Sequence, residues 1–292
     1  MTYDILFAGP ASKDENIDVT GQKIIEAGGA AYFGSFSARA VGGEVFVALK
    51  VHPEDREIID AYALDREHLC VLPSGKTTNM RNTYLTEDRE RRITECLAQA
   101  DPVCPEDIPD LDAKVCHVAG LLYGDYPKEI FPFLADRGAV SADMQAFVRH
   151  NENGQSVYHD WSDKRECMPC ITYLKADAAE AEILTGLSDR REAAKALHAL
   201  GAKEIFISFN SEMLVYDGSS YHSCPVKARN LSGRTGRGDT VFAAYLVKRV
   251  NGASVEEALL YATAAVSMKM EQPGPLRCTI ADIEQYLSDF YR

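Results

Sequence analysis

The chain has 292 residues, of which 46% are hydrophobic, so it can bury a large core. Its formal net charge of -13 argues against a nucleic-acid surface, and no apolar stretch reaches the ~20 residues that a membrane span needs. The first residues lead straight into an apolar run without a basic leader, which predicts a cytoplasmic protein.

Short apolar runs alternate with helical patterns along the chain. The runs predict buried strands at residues 5–8, 45–51, 115–119, 139–142 and 205–208. The helical patterns lie at residues 32–41, 128–136, 178–184 and 191–200. This alternation predicts an α/β fold with a mostly parallel central sheet flanked by helices. In such sheets ligands bind beyond the carboxyl ends of the strands.

Two segments, residues 16–26 and 77–97, interrupt the alternation with polar and apolar residues at short spacing. Each is typical of strands, with turns at Gly21 and around residues 86–88. Together they predict a small, half-exposed β lid that projects over a cleft. The sequence contains no repeat and no low-complexity linker, so we expect one domain over residues 1–292 from which the lid is an excursion.

Eight cysteines are scattered along the chain, and only Cys167 and Cys170 are closely spaced. A zinc site would need a second such pair or a clustered pair of histidines, and the sequence contains neither. We therefore expect reduced structural thiols.

A glycine-bracketed turn at residues 231–240 leads into an apolar run near the C-terminal end. Gly236 and Gly238 carry no Cβ, so this backbone can approach a ligand closely. Their amides and the N-terminus of the following helix would surround an anion with N–H donors and partial positive charge. Asp239 stands beside them as an acid that can take a proton from an attacking hydroxyl. The motif therefore predicts phosphoryl transfer.

Asp239 has a second interpretation, because aspartate is also a preferred helix N-cap. The helix dipole favours the ionised form of a carboxylate at this position. We therefore expect Asp239 to act as a base through its proximity to the hydroxyl and not through a raised pKa.

Two features in the N-terminal part lie where a two-substrate kinase would need them. Asp14 follows the first predicted strand, and Gly28 and Gly29 form a second glycine turn before a predicted helix. Taken singly, Asp14 is equally compatible with a loop acid or a cap, and the glycines with a simple turn.

Two further features lie where such a kinase would need them. Asp177 and Glu180 are three residues apart, which places both carboxylates on one face of a helical turn. Gly274 lies after a small-residue stretch at residues 264–265, a combination that suits packing beside a flat ring. Taken singly, the two acids are equally compatible with solvated helix residues.

In their order along nearly the whole chain, these motifs resemble the PfkB (ribokinase-like) family of carbohydrate and nucleoside kinases. The resemblance implies a ribokinase-like fold, an anion hole formed by residues 236–238, and Asp239 as the catalytic base. It also implies that Asp14 grips substrate hydroxyls, that Gly28 and Gly29 let the substrate approach, and that the two interrupting segments form the family's lid.

The same resemblance implies a donor site. Asp177 and Glu180 match the family's N-x-x-E motif, with Asp in place of Asn, which implies that they organise Mg²⁺ and phosphates, Glu180 through water. Ser208 begins the segment that stands where the family commonly has T-x-G in its nucleotide-binding region, and Gly274 lies beside the nucleotide. The implied cofactors are ATP and Mg²⁺.

The chain departs from the family pattern at several positions. Gly233 stands where the family usually has an Asp that helps to build a monovalent-cation site, so we expect little activation by K⁺. Arg234 and Arg237 replace small residues and can supply positive charge to the nucleotide or the transferred phosphate, or else pair with neighbouring carboxylates. Tyr32 lies near the position of the family's Asn and can contact the acceptor or pack the lid hinge.

The sequence thus predicts ATP-dependent phosphorylation of a hydroxyl on a small sugar or polyol. A nucleoside kinase is the near alternative, since the scaffold also accepts a ribose that bears a base. A catalytically silent ligand-binding regulator is the alternative of another class, against which the intact Asp239 argues. We expect no nucleic-acid or membrane partner, and a homodimer through the lid is a further expectation.

Overall fold

The structure, a computed structural model, describes residues 2–86 and 91–292. Within these ranges the strands in chain order are β1 (Tyr3–Pro10), β2 (Ser12–Ile17), β3 (Lys23–Gly28), β4 (Val45–Val51), β5 (Leu69–Pro73), β6 (Thr78–Tyr84), β7 (Arg92–Ala98), β8 (Ala113–Val118), β9 (Ala139–Asp143), β10 (Arg149–Glu152), β11 (Gln155–Tyr158), β12 (Tyr173–Asp177), β13 (Glu204–Ser208), β14 (Glu212–Tyr216) and β15 (Tyr221–Pro225).

The α-helices of the same ranges are α1 (Ala30–Ala40), α2 (Arg56–Asp60), α3 (Ile130–Ala135), α4 (Gln145–Val148), α5 (Lys164–Cys167), α6 (Ala178–Thr185), α7 (Arg190–Ala199), α8 (Arg237–Val250), α9 (Val255–Met270) and α10 (Ile280–Phe290). None of the helices in the described part of the chain is long and apolar enough to cross a membrane.

A large, mostly parallel sheet forms the centre of the molecule. Its strand order is β15-β14-β13-β12-β9-β8-β1-β4-β5, and only the β13–β14–β15 meander pairs antiparallel. Every residue of β1 and of β4 is buried, as expected for strands covered on both faces. Two hydrophobic clusters cover the faces, one mainly with α1, α8 and α9 and the other with α3, α6 and α7.

The five predicted strands and four predicted helices of the main domain are confirmed, with bounds that shift by no more than a few residues. The prediction missed β5, β12, β14 and β15, of which β12 lies in the middle of the sheet between β9 and β13. Lys175 interrupts the apolar residues of β12, and this charged residue hid the strand from a search for apolar runs.

A second, smaller sheet lies beside the carboxyl ends of the main strands, with the order β10-β11-β7-β6-β2-β3. The predicted segment 16–26 contains the end of β2 and most of β3, but β2 begins at Ser12, before the predicted segment. The predicted segment 77–97 contains β6 and most of β7. Gly21 has the positive φ of 84° that its turn requires. The hairpin of β10 and β11 was not predicted. The turn predicted around residues 86–88 falls partly on residues 87–90, outside the described ranges.

Candidate active site

Three adjoining cavities open between the small sheet and the carboxyl ends of the main sheet. We call them the outer cavity, of about 510 Å³, the inner cavity, of about 90 Å³, and the basic groove, of about 440 Å³. Asp14 lines both the outer and the inner cavity, and Asp239 lines both the inner cavity and the basic groove. Thr235 borders all three. The cavities therefore form one continuous cleft with Asp239 at an internal boundary.

The glycine turn adopts the conformation that its sequence predicts. Gly236 is the N-cap of α8 and has a left-handed φ of 76°, which favours glycine. A Cβ at this position would lie 2.2 Å from the ring of Phe33, so a side chain is excluded sterically as well. A Cβ on Gly238 would lie 3.0 Å from the ammonium of Lys175. The first amides of α8, which lack acceptors within the helix, therefore sit next to the basic groove.

Asp239 is the third residue of α8, and the N-cap interpretation is wrong because Gly236 occupies that position. The expectation that its pKa is not raised is also wrong. Burial raises the pKa of the Asp239 carboxyl to about 6, against the opposing charge of Lys175. Desolvation is the largest cause of this shift, and it brings the pKa nearer to that of an efficient general base.

Lys175 is a functional candidate that the sequence analysis missed. Its side chain is almost fully buried at the floor of the basic groove and forms an ion pair of 2.7 Å with Asp143. Burial alone would lower the pKa of Lys175, but Asp143, Glu180 and Asp239 together raise it. The ammonium therefore stays charged at the point where α8 begins. A lysine within an otherwise apolar strand was the available signal.

Asp177 and Glu180 line the basic groove, and they also form a reciprocal capping box at the start of α6. The Glu180 amide donates to the Asp177 carboxylate at 2.8 Å, and the Asp177 amide donates to the Glu180 carboxylate at 2.7 Å. Burial raises the pKa of Glu180 to about 8, and the charge of Lys175 opposes the rise. Both acids thus have a structural role in addition to any contact with a ligand.

Asp14 and Gly28 contact each other on adjacent antiparallel strands. A Cβ on Gly28 would lie 2.2 Å from a carboxylate oxygen of Asp14, so only glycine leaves room for this acid. The Ser12 hydroxyl donates to the same carboxylate. Burial raises the pKa of Asp14, and the bond from Ser12 opposes that rise. The two residues that the sequence assigned to the acceptor site therefore form one unit.

Gly29 and Tyr32 lie at the start of α1. Gly29 is the N-cap with a φ of 97° and lines the inner cavity. Tyr32 lines the outer cavity, where its ring makes edge contacts with Phe33, Phe36 and Tyr62. Tyr32 is thus held in an aromatic cluster and presents only part of its surface to the cavity.

The structure groups most of the remaining predicted donor residues. Ser208, Arg234 and Arg237 line the basic groove with Lys175. Gly274 does not join them, because it lies on the wall of the outer cavity. The small residues at 264–265 are fully buried in α9, so they offer no surface to a ring.

Further basic residues enter the cleft from the small sheet and its neighbourhood. Arg92, at the start of β7, borders the inner cavity and the basic groove. Arg149 borders the inner cavity and is fixed by a bond of 2.8 Å from its Nε to the carbonyl of Leu121. The run of arginines around position 90 of the sequence could have indicated Arg92 as a site residue. Arg149 has no such signal, and only the fold brings it to the site.

No group of three or more His, Cys, Asp or Glu side chains in residues 2–86 and 91–292 is arranged to hold a metal ion. Asp177 and Glu180 nevertheless line the basic groove with carboxyl groups, and a bound cation would favour the ionised form of Glu180 against its raised pKa. This donor set fits Mg²⁺ that is held through water and by the phosphates of a ligand, which is the usual mode for this ion.

Comparison with known proteins agrees with this geometry. The chain superimposes with a TM-score of 0.87 on a pyrophosphate-dependent kinase of the ribokinase family, solved with a pyrophosphate analogue and myo-inositol, at 34% identity over 96% of this chain and 99% of that one. A ribokinase from Arabidopsis thaliana, solved with ribose and ATP, gives a TM-score of 0.76 at 16% identity over 98% and 99% of the two chains. The fold is therefore ribokinase-like.

The sequence itself gives the family. Residues 57–282 match the pfkB family carbohydrate kinase pattern. A cytidine kinase from Thermococcus kodakarensis is 28% identical over 263 residues, which are 87% of this chain and 91% of that protein. The chain belongs to the pfkB family and is a phosphotransferase.

Proposed function

We propose that this kinase transfers a phosphoryl group from inorganic pyrophosphate, bound in the basic groove, to a hydroxyl of a small polyol or sugar in the inner and outer cavities. Asp239 is the general base. The observation that carries the proposal is the position of Asp239 on the boundary shared by the inner cavity and the groove. A base at this boundary can take the proton of a hydroxyl while the oxygen faces a phosphorus atom in the groove.

The acceptor side suits an uncharged polyhydroxy compound. The outer cavity has three carboxylates and three cationic side chains among its lining residues, so it has no strong preference for a charged ligand. Asp14 and Asn16 offer polar groups to hydroxyls from β2, and Glu26 does so from β3. A nucleoside remains the alternative acceptor, since Tyr32 and Phe33 border the same cavity and can contact a base.

The donor side suits a compact polyanion. The groove is lined by five cationic side chains against three carboxylates, and by no aliphatic or aromatic side chain among the described residues. A nucleobase gains affinity from apolar or stacking surfaces, whereas a diphosphate gains it from guanidinium and ammonium groups. The relative that is 34% identical is pyrophosphate-dependent, which supports the same donor here.

ATP, the donor that the sequence predicts, is the second candidate. Arg234 and Thr235 border both the groove and the outer cavity, and Gly274 lies on the far wall of that cavity. A nucleotide whose phosphates lie in the groove would therefore find space for its base in the outer cavity, although it would compete there with the acceptor.

The chain's own groups provide the chemistry of transfer. The amides at residues 236–238 and the positive end of α8 neutralise charge on the transferred phosphoryl group. Lys175 adds a fixed positive charge next to these amides, and Arg237 can form two parallel hydrogen bonds to phosphate oxygens. Asp239 accepts the proton of the attacking hydroxyl as its oxygen bonds to the phosphorus atom, while the bridging P–O bond of pyrophosphate breaks and inorganic phosphate leaves. Mg²⁺, held through water by Glu180 and Asp177, would supply charge neutralisation between donor phosphates.

The test is a donor-by-acceptor matrix with purified protein. Pyrophosphate and ATP are each supplied with Mg²⁺ and a panel of cyclic polyols, linear polyols, sugars and nucleosides, and the phosphorylated product is measured directly. We expect the highest kcat/KM with pyrophosphate and a polyol or sugar, and a kcat that is lower by ~10²–10⁴-fold with Asp239→Asn. Higher kcat/KM with ATP would overturn the donor assignment, and a preference for nucleosides would overturn the acceptor assignment.

A further inference from the structure

A buried lysine side chain contacts the backbone of the glycine turn. Lys269 lies in the last turn of α9, and its side chain is almost fully buried. Its ammonium donates hydrogen bonds to the backbone carbonyls of Gly233 and Thr235. These carbonyls belong to the turn that leads directly into Gly236 and α8. One cation therefore binds the backbone segment that ends in the proposed anion hole.

The turn is fixed to the end of α9 by further contacts. The Gly233 amide donates to the carbonyl of Met270 at 2.8 Å. A Cβ on Gly233 would lie 1.8 Å from the carbonyl oxygen of Gln272, so a side chain cannot be placed there without moving backbone. The Asp that the family usually has at this position does not fit in this chain. A monovalent-cation site of that composition does not fit either, because the Lys269 ammonium already takes the carbonyls on this side.

Phe33 links the lysine to the glycine of the turn. The Lys269 ammonium lies 5.4 Å from the centre of the Phe33 ring, a distance typical of a cation–π contact. The same ring packs against Gly236, where no Cβ could be accommodated. One ammonium and one ring thus fix the turn from the side of the outer cavity, which both residues line.

We propose that Lys269 is a built-in cation that positions the anion-hole turn and replaces a bound monovalent ion. The proposal rests on the proposed phosphoryl transfer at residues 236–239, to which it adds the origin of the turn's rigidity. Lys269 is a positioning residue, because its bonds are to backbone carbonyls of the turn. Burial lowers its pKa to about 8, and the charge of Asp239 opposes this shift, so the ammonium is the main form at pH 7.

The experiment replaces the Lys269 ammonium by a cation from solution. Lys269→Ala removes the ammonium and opens a space beside the two carbonyls. Thermal unfolding and steady-state kinetics are measured in choline chloride, KCl and NH₄Cl at equal ionic strength. We expect kcat to fall about 10²-fold in choline chloride, because displacement of the turn by about 1 Å costs this much. We expect K⁺ or NH₄⁺ to recover at least about tenfold of the loss and to raise the Tm.

Two variants control the result. Lys248→Ala removes another partly buried lysine, which contacts the ring of Tyr261 at 3.7 Å far from the turn, and should show no response to K⁺. Lys269→Met keeps the buried volume without the charge, and it should lose activity without recovery by any salt. Rescue of Tm by K⁺ is read without turnover, so it separates this proposal from the proposed reaction.

Three outcomes would overturn the role of Lys269. They are near-normal kcat in folded Lys269→Met, equal Tm of Lys269→Ala in all three salts, and K⁺ activation of the unmodified protein comparable to that of Lys269→Ala.

Discussion

The basic groove and the outer cavity are neighbours, but they are built from different parts of the chain. The groove is built mainly on the ends of main-sheet strands and on α8, with an excess of cationic side chains. The outer cavity takes much of its lining from β2 and β3 of the small sheet and has as many cations as carboxylates. Under the proposed function, this difference in charge would direct an anionic donor to the groove and an uncharged acceptor to the outer cavity. The following variants are chosen to break or sharpen this division.

The largest effect is expected from a change of Asp239, which lies between the inner cavity and the basic groove. Asp239→Asn should lower kcat by ~10²–10⁴-fold, because general-base catalysis is lost while the shape of the side chain is kept. The KM values for donor and acceptor should change little. Since burial raises the pKa of Asp239, its ionised form is disfavoured by folding above the unfolded pKa, so at pH 7 the variant's Tm should be no lower than that of the unmodified protein. Near-normal kcat would refute the assigned role.

The next effect concerns the groove alone. Arg237→Ala should lower kcat/KM for the donor by about 10²-fold, because charge-assisted bonds to phosphate are lost. The KM for the acceptor should stay within about twofold. Arg292→Ala is the matched control, since Arg292 forms an exposed ion pair with Glu284 outside the cleft. Equal kinetics of the two variants at low and moderate salt would leave Arg237 as a surface residue.

The corresponding variant at the proposed acceptor site is Asp14→Asn. It should raise the acceptor KM by about 30-fold, because hydrogen bonds to a charged group contribute ~1.5–3 kcal/mol. The donor KM should be unchanged. A donor KM that rises as much as the acceptor KM would show that the two regions are not separated as proposed.

A smaller effect is expected on the pH dependence of activity, and it also depends on Asp239. Burial raises the pKa of Asp239 to about 6, and the base must be deprotonated to act. Activity should therefore be full above this value and fall about tenfold between pH 7 and pH 5. The fall should be absent from the residual activity of Asp239→Asn. An acid limb with the ordinary pKa of an exposed aspartate would contradict the role of burial.

The smallest effect is expected from K⁺. Because the Lys269 ammonium occupies the carbonyls of the turn, replacement of K⁺ by choline at fixed Mg²⁺ and ionic strength should change the activity of the unmodified protein by less than about twofold. Strong, saturable activation by K⁺ would show that other groups of the chain build a cation site.

The sequence by itself determined the features that depend on local pattern. Alternating apolar runs and helical periods define a parallel sheet whatever the rest of the chain does. Gly236 and Asp239 are three residues apart, so their joint placement at the start of a helix needs no tertiary contact. The segments 16–26 and 77–97 were recognised as a separate sheet for the same reason, since alternation of polar and apolar residues is a local property.

Only the tertiary structure decided which groups set the chemistry of Asp239. The helix dipole is local and predicted an ordinary pKa, whereas burial among distant strands raises it. Lys175 and Lys269 are buried charged residues, and no local pattern shows that one meets Asp143 and the other meets the carbonyls of Gly233 and Thr235. Desolvation and long-range contacts arise from packing, so they cannot be deduced from the spacing of residues along the chain.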